Sequence, residues 1–231
     1  MLQQLQKDLR KLASPEKAKI MQRFFKTGKG EYGEGDIFLG ITVPEQRKLA
    51  IRFKKLDIED LQKLLGSKIH EERLVSLMIL RIKYQKTDQK GKKEIFDFYL
   101  NNTRNINNWD LIDLSSGEIV GNYLRDKDKS ILYKLARSEN LWEKRIAMLA
   151  TYPYIKKGEF AEAFKIAEIL LRDKHDLIQK AVGWMLREIG KRDQKVEEEF
   201  LRKYYKIMPR TMLRYAIEKF PGDKRKFYLT K

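Results

Sequence analysis

A repeated helix signature constrains this chain more than any other feature. Arg145-x-Ala147, Lys180-x-Val182 and Arg214-x-Ala216 each stand about one turn after a helix start, at steps of 35 and 34 residues. Glu71-Glu72-Arg73-x-Val75 is an earlier variant. A period in the 30s is that of a helix pair, and one pair cannot bury its apolar face alone. Stacked pairs make a continuous core and a curved surface lined by the second helices. The apolar spacing places pairs at 57–66 with 69–86, 90–103 with 108–125, 129–137 with 141–156, 160–172 with 176–191 and 195–207 with 210–220. No Asn-Gly or Asp-Gly hairpin turn falls between alternating apolar runs. The expectation is an all-α fold: an α-solenoid of antiparallel helix pairs with a concave basic face, forming a single domain over residues 1–231.

Ahead of the repeats, Ser14-Pro15 is a helix cap followed by a first-turn proline, opening EKAKIMQRFFK. The stretch TGKGEYGEGD (27–36) has no Gly-Lys-Ser/Thr and no strand before it, so it reads as a flexible connection rather than a phosphate cradle. Pro44 opens a further helix, PEQRKLAIRFKKL. The longest apolar run, LVSLMIL at 74–80, is too short to span a bilayer, and the N-terminal residues lack the apolar segment of a signal peptide. A cytoplasmic protein is expected, nucleoid-associated if the source is prokaryotic.

Fifty Lys and Arg against 33 Asp and Glu give a net charge of +17, which favours polyanionic partners, a duplex phosphate backbone first among them. With no cysteine, disulfides, thiolate metal sites and cysteine nucleophiles are excluded. Neither His70 nor His175 stands in a carboxylate–histidine sequence pattern, so no metal and no cofactor is expected; only an all-oxygen metal site stays open.

The candidate chemistry lies in NINNWDLIDLSSGEIVGNYL (105–124). Ile112, Ser115, Ile119 and Tyr123 form one stripe, and Trp109 and Asp113, four apart, share the face beside it. They are either a packing tryptophan with a carboxylate placed for the helix dipole, or a functional aromatic–acid pair; Asp110, in the first turn, suits the dipole better. Trp142 lies near its helix stripe and reads as core. Trp184 falls about 120° from the stripe Ile178, Val182, Met185 and Ile189, with Arg187 and Lys191 following it, and Arg145 lies about 100° off its own stripe. An aromatic among cations suits a sugar–phosphate backbone; packing between helices with a solvated basic face is the competing account.

Four segments, FLGITVPEQRKL (38–49), WDLID (109–113), LWEKRIAML (141–149) and IQKAVGWMLRE (178–188), resemble the AlkD-like DNA alkylation repair family in order and separation. The family is built from HEAT-like repeats. The resemblance implies a DNA glycosylase that removes alkylated purines, with Asp113 as catalytic carboxylate and Trp109 and Trp184 against the deoxyribose of the damaged nucleotide. It implies Arg145 near the lesion phosphates and Arg47 as a backbone contact; Lys180, Arg187 and Lys191 complete the expected DNA-binding set. Phe24 stands where the best-matching relatives have tyrosine, which keeps an aromatic surface on the DNA side but loses a hydroxyl. The implied partner is double-stranded DNA containing alkylated purines, bound by a monomer with no obligate protein partner. Some relatives keep the fold without ordinary excision activity; the competing function is a HEAT-repeat protein that recognises nucleic-acid structure without cutting.

Overall fold

The computed structural model describes residues 1–230, which fall into two compact units, Met1–Ser115 and a second that begins at Ser116. Every regular element among the described residues is helical; the nearest approach to a sheet is an isolated bridge between Ile37 and Ile69.

In the first unit the helices are α1 (Leu2–Lys11), α2 (Pro15–Phe24), α3 (Val43–Arg52), α4 (Ile58–Leu65), α5 (His70–Lys86), α6 (Gln89–Asn101) and α7 (Trp109–Ser116). Polar caps set their starts. Ser14 Oγ accepts from Lys17 N, Asp57 from Asp60 N and Asp88 from Gly91 N. The Glu45 carboxylate accepts both the N–H and the hydroxyl of Thr42. The run LVSLMIL lies in α5, buried all round, and α3, α4 and α6 pack against this helix. Four residues join α4 to α5, which makes them antiparallel neighbours, as the repeat requires. Glu71, wholly buried at the start of α5, staples the FLGI segment: its carboxylate accepts the N–H groups of Leu39, Gly40 and Ile41 at 2.8–3.2 Å. Gly40 has φ +83°, and a Cβ there would lie 2.3 Å from the carbonyl oxygen of Ser14, so no other residue fits.

The second unit opens on a π-helical stretch, Gly117–Gly121. It continues through α8 (Asn122–Leu124), α9 (Ser130–Ala136), α10 (Leu141–Leu149), α11 (Tyr152–Ile155), α12 (Ala161–Ile169), α13 (Asp176–Gly190), α14 (Gln194–Tyr204), α15 (Arg210–Ala216) and α16 (Gly222–Leu229). Two helices expected to be continuous are interrupted. The π stretch divides 108–125, and its Gly121 lies so close to α10 that a Cβ would sit 2.2 Å from Ala150 O. The helix expected at 141–156 breaks after Leu149. Pro153 has no N–H, and its ring would clash with the carbonyl of Leu149, four residues earlier, in a continuous helix. In this unit α13 is central, packed by α10, α12, α14 and α15. Its Gly183 faces α15, where a Cβ would come 2.4 Å from Met212 O. The pairs α9/α10, α12/α13 and α14/α15 follow one another as the 34–35-residue period predicts. No described helix is long and apolar enough to cross a membrane.

Candidate nucleic-acid interface

Trp109 begins α7, its backbone N–H capped by Asn108 Oδ1 at 2.8 Å. The indole is half-buried and held on two sides. Phe25 stacks on one face, with centroids 5.0 Å apart and planes 16° from parallel. Nε1 donates to the Tyr32 hydroxyl at 3.3 Å. Phe24, 64% exposed, meets Trp109 edge-on at 5.7 Å and Phe25 edge-on at 5.1 Å. Three centroids at nearly equal separations place Phe24 beside the stack, so the face of Trp109 away from Phe25 is covered by neither phenyl ring.

Asp113 follows one turn later and is half-buried. Its charge reaches Tyr99: burial raises that phenol's pKa, the hydrogen bond with Ser115 opposes the rise, and Asp113 adds to it. On the buried side of the helix Tyr99 and Ser115 are joined at 2.9 Å, with Ser115 Oγ also donating to Leu111 O. The aromatic and the carboxylate therefore share one helix face, which continues to the buried Ser116, as their spacing predicts.

The buried cluster around His70 has no local sequence signature. His70 is held between two carboxylates, Nδ1 at 3.2 Å from Asp36 and Nε2 at 2.8 Å from Asp110, and Arg73 Nη2 bonds Asp36 at 2.6 Å. Burial disfavours the imidazolium, but the charge of Asp110 and hydrogen bonds to both carboxylates outweigh burial and the nearby Arg73, raising the pKa to about 9. Asp36 is held below the usual carboxylate range: the hydrogen bonds and charges of His70 and Arg73 overcome its burial. The His70 ring also stacks on Phe38 at 4.4 Å, and Phe38 stacks on Phe25. No local carboxylate–histidine pattern marks either histidine in the sequence, yet His175 Nδ1 lies 3.5 Å from Asp176 and His70 has two carboxylate partners. The partners lie 34 and 40 residues away, beyond any local pattern. Because they occupy opposite ring nitrogens, they do not converge on a common ligand point, and no group of three metal-ligating side chains occurs among the described residues.

The reading of 27–36 as a flexible connection is also corrected. Glu31 accepts from Gly28 N and Glu34 from Gly30 N, both at 2.8 Å, and Gly33 N donates to Lys26 O. Asp36 ends the loop in the buried cluster, and Tyr32 lies at the indole. No phosphate-cradle motif is needed for this loop to belong to the site.

The other candidates are placed as follows. Arg47, on α3, is exposed and makes no ion pair or side-chain hydrogen bond among the described residues. In the second unit Trp184 is half-buried, 6.2 Å from the Tyr152 ring. Burial opposes ionisation of Glu188, but Lys191 and Arg192, helped by the polar end of Trp184, hold it below the usual carboxylate range. Arg145 is only 5% exposed, with Nη1 donating to Leu177 O at 2.7 Å. Lys180 pairs with Asp176, Lys191 with Glu188 and the largely buried Arg187 with Glu218. Each of these three cations is ion-paired, although Glu188 is shared with Arg192 and Glu218 with Lys219, so a phosphate would have to share or displace a carboxylate. Trp142 is core, as its stripe predicts.

These features define an all-helical protein of stacked helix pairs that presents an aromatic–carboxylate site. Residues 5–220 match the family described as DNA alkylation repair enzyme, and the chain belongs to that family. Among solved structures it is similar to a predicted DNA alkylation repair enzyme from Enterococcus faecalis, with 18% identity, coverage of 91% of this chain and 97% of that one, and a TM-score of 0.72. It is also similar to AlkD2 from Streptococcus mutans, with 18% identity, coverage of 90% and 98%, and a TM-score of 0.56. At these identities the likeness is one of fold. No curated protein matches the sequence significantly.

Proposed function

We propose that this protein is a monofunctional DNA glycosylase hydrolysing the N-glycosidic bond of cationic N3- and N7-alkylpurines in duplex DNA, as the first step of base excision repair. Residues 1–231 act as one domain and as a monomer, in the cytoplasm or at the nucleoid. The observation that carries the reading is the pairing, on one face of α7, of the Trp109 ring with the Asp113 carboxylate. Family membership and the +17 charge support it.

An alkylated purine that is already cationic leaves without further protonation, and the developing charge appears on the sugar. Asp113 stabilises that oxocarbenium-like state and orients the attacking water. The electron-rich face of Trp109 adds cation–π stabilisation, and Trp184, by the family resemblance, provides a second aromatic contact to the deoxyribose. Arg47 and Phe24 supply exposed backbone-side contacts; Arg145, Lys180, Arg187 and Lys191 bind phosphate by exchanging their present partners.

The test is single-turnover release of 7-methylguanine from duplex DNA by wild type and Asp113→Asn. The substitution keeps shape but removes charge, and a loss of roughly 10²-fold with unchanged DNA affinity is expected. Equal release by a folded Asp113→Asn protein refutes the mechanism. No release by wild type, with duplex binding retained, favours a binding protein that recognises DNA structure.

A further inference from the structure

The loop at 26–36 is clamped at both ends. At one end Lys26 has φ +51° and its carbonyl accepts Gly33 N at 3.0 Å. Gly33 lies against the chain so closely that a Cβ would be 2.5 Å from Phe25 O, and Phe25 is the residue stacked on Trp109. At the other end Asp36 is fixed by Arg73 and His70, and His70 holds Asp110, the residue next to Trp109. Between the clamps Tyr32 is half-buried, with its hydroxyl at the indole Nε1 and the Lys26 ammonium 6.0 Å over its ring.

This geometry has two consequences for the indole. Its only N–H donor is spent on Tyr32, so the ring meets a ligand with its π face rather than with a hydrogen bond. Donation from Nε1–H also leaves more electron density on the ring, which strengthens attraction to a cation over the face away from Phe25. We propose that Tyr32 is a positioning residue of the site: by accepting from Trp109 Nε1 it fixes the angle of the indole and increases its preference for positive charge on the sugar. The loop is thus a working part of the site and not a connector. This rests on the glycosylase reading for the identity of the sugar cation, though not for the contact itself.

Tyr32→Phe removes one oxygen and keeps the ring. Affinities are measured for two duplexes, one with a cationic azasugar and one with neutral tetrahydrofuran at the same site, alongside single-turnover release of 7-methylguanine. The three tryptophan indole N–H resonances are followed in parallel, with that of Trp109 assigned by its loss in Trp109→Phe. The expected result is a displaced Trp109 resonance, an azasugar preference reduced about fivefold and release slowed by a similar factor, with melting unchanged. Tyr32→Trp, which keeps a large ring but not the hydroxyl geometry, should not restore the preference. If wild type releases no base yet prefers the azasugar, and Tyr32→Phe erodes that preference, the glycosylase reading fails and the positioning role stands. If wild type releases base and Tyr32→Phe alters neither rate nor preference, the positioning role is overturned and the glycosylase reading stands. Absence of both release and preference in wild type overturns both.

Discussion

The His70 cluster makes a quantitative prediction about stability against pH. The imidazole faces Asp36, Asp110 and Arg73, with Phe25 and Phe38 as ring neighbours, and its pKa is raised from 6.5 to about 9. A group whose folded-state pKa is raised stabilises the fold fully below its unfolded value and loses that contribution as pH climbs through the folded value. The window is therefore about pH 6.5 to 9. At ~1.4 kcal/mol for each pH unit, the gap corresponds to roughly 3 kcal/mol. His70→Gln keeps two polar atoms near the carboxylates but cannot take up a proton in this range. Urea unfolding of both proteins, followed by tryptophan emission at pH 6 and at pH 10, isolates the contribution. Wild type should exceed His70→Gln by roughly 3 kcal/mol more at the lower pH, and the difference cancels the ionisation of lysines and tyrosines common to both. A stability difference that stays constant across this range would falsify the account of a protonated His70.

Glu197 should show the same sign of pH dependence, from a carboxyl rather than an imidazole. Burial, and secondarily the Glu198 charge, raise its pKa to about 9 against the pull of Arg187, and neither carboxyl oxygen has a hydrogen-bond partner. For a carboxyl raised in this way stability falls as pH rises from about 4.5, so Glu197→Gln should raise the melting temperature at pH 8 and have little effect at pH 4; no gain at pH 8 contradicts it. Duplex affinity should fall steeply with salt, and Arg47→Ala should lessen the slope more than Lys180→Ala, because Lys180 already has a carboxylate partner. Equal slopes for the two variants would put Arg47 outside the interface. Release of cationic 7-methylguanine should outpace that of neutral hypoxanthine, since the proposed mechanism supplies no general acid; parity in a time course would reveal one. Gly183→Val should cost several kcal/mol in thermal unfolding, as α13 and α15 are forced apart; a wild-type melting curve would mean that α15 can retreat freely.

The fold was legible because its information is periodic. Each pair must turn an apolar stripe to the next, so Ile146, Val182 and Ala216 announce their burial at helical spacing. The π turn at Gly117–Gly121 was invisible, since it follows from the close approach to Ala150 rather than from local preference. It also displaces the stripe: Leu124, rather than Tyr123, is buried beyond it. That Trp109 and Asp113 share a helix face is readable from their i, i+4 spacing, while their proposed role comes from the family resemblance. Tyr32, Phe25, Asp36 and His70 show no such spacing, because chain closure over tens of residues joins them and leaves no local period. Arg145 shows the limit of angular reasoning: it is off its stripe, yet buried, because in stacked pairs a helix flank also has neighbours.

Glu71 gives the first unit an internal occupant where an external one would otherwise be welcome. Three successive backbone N–H groups, from Leu39, Gly40 and Ile41, converge on one carboxylate, the geometry by which loops elsewhere capture phosphate. The chain thus fills the nest with its own buried carboxylate, and this nest is closed to competition from a polyanion passing over the surface. On the proposed reading phosphate recognition falls to side chains, which exchange partners quickly and can be altered one at a time without disturbing the backbone. Truncating Glu71 to alanine would vacate the nest, and inorganic phosphate or sulfate should then stabilise the variant while leaving the parent protein unaffected.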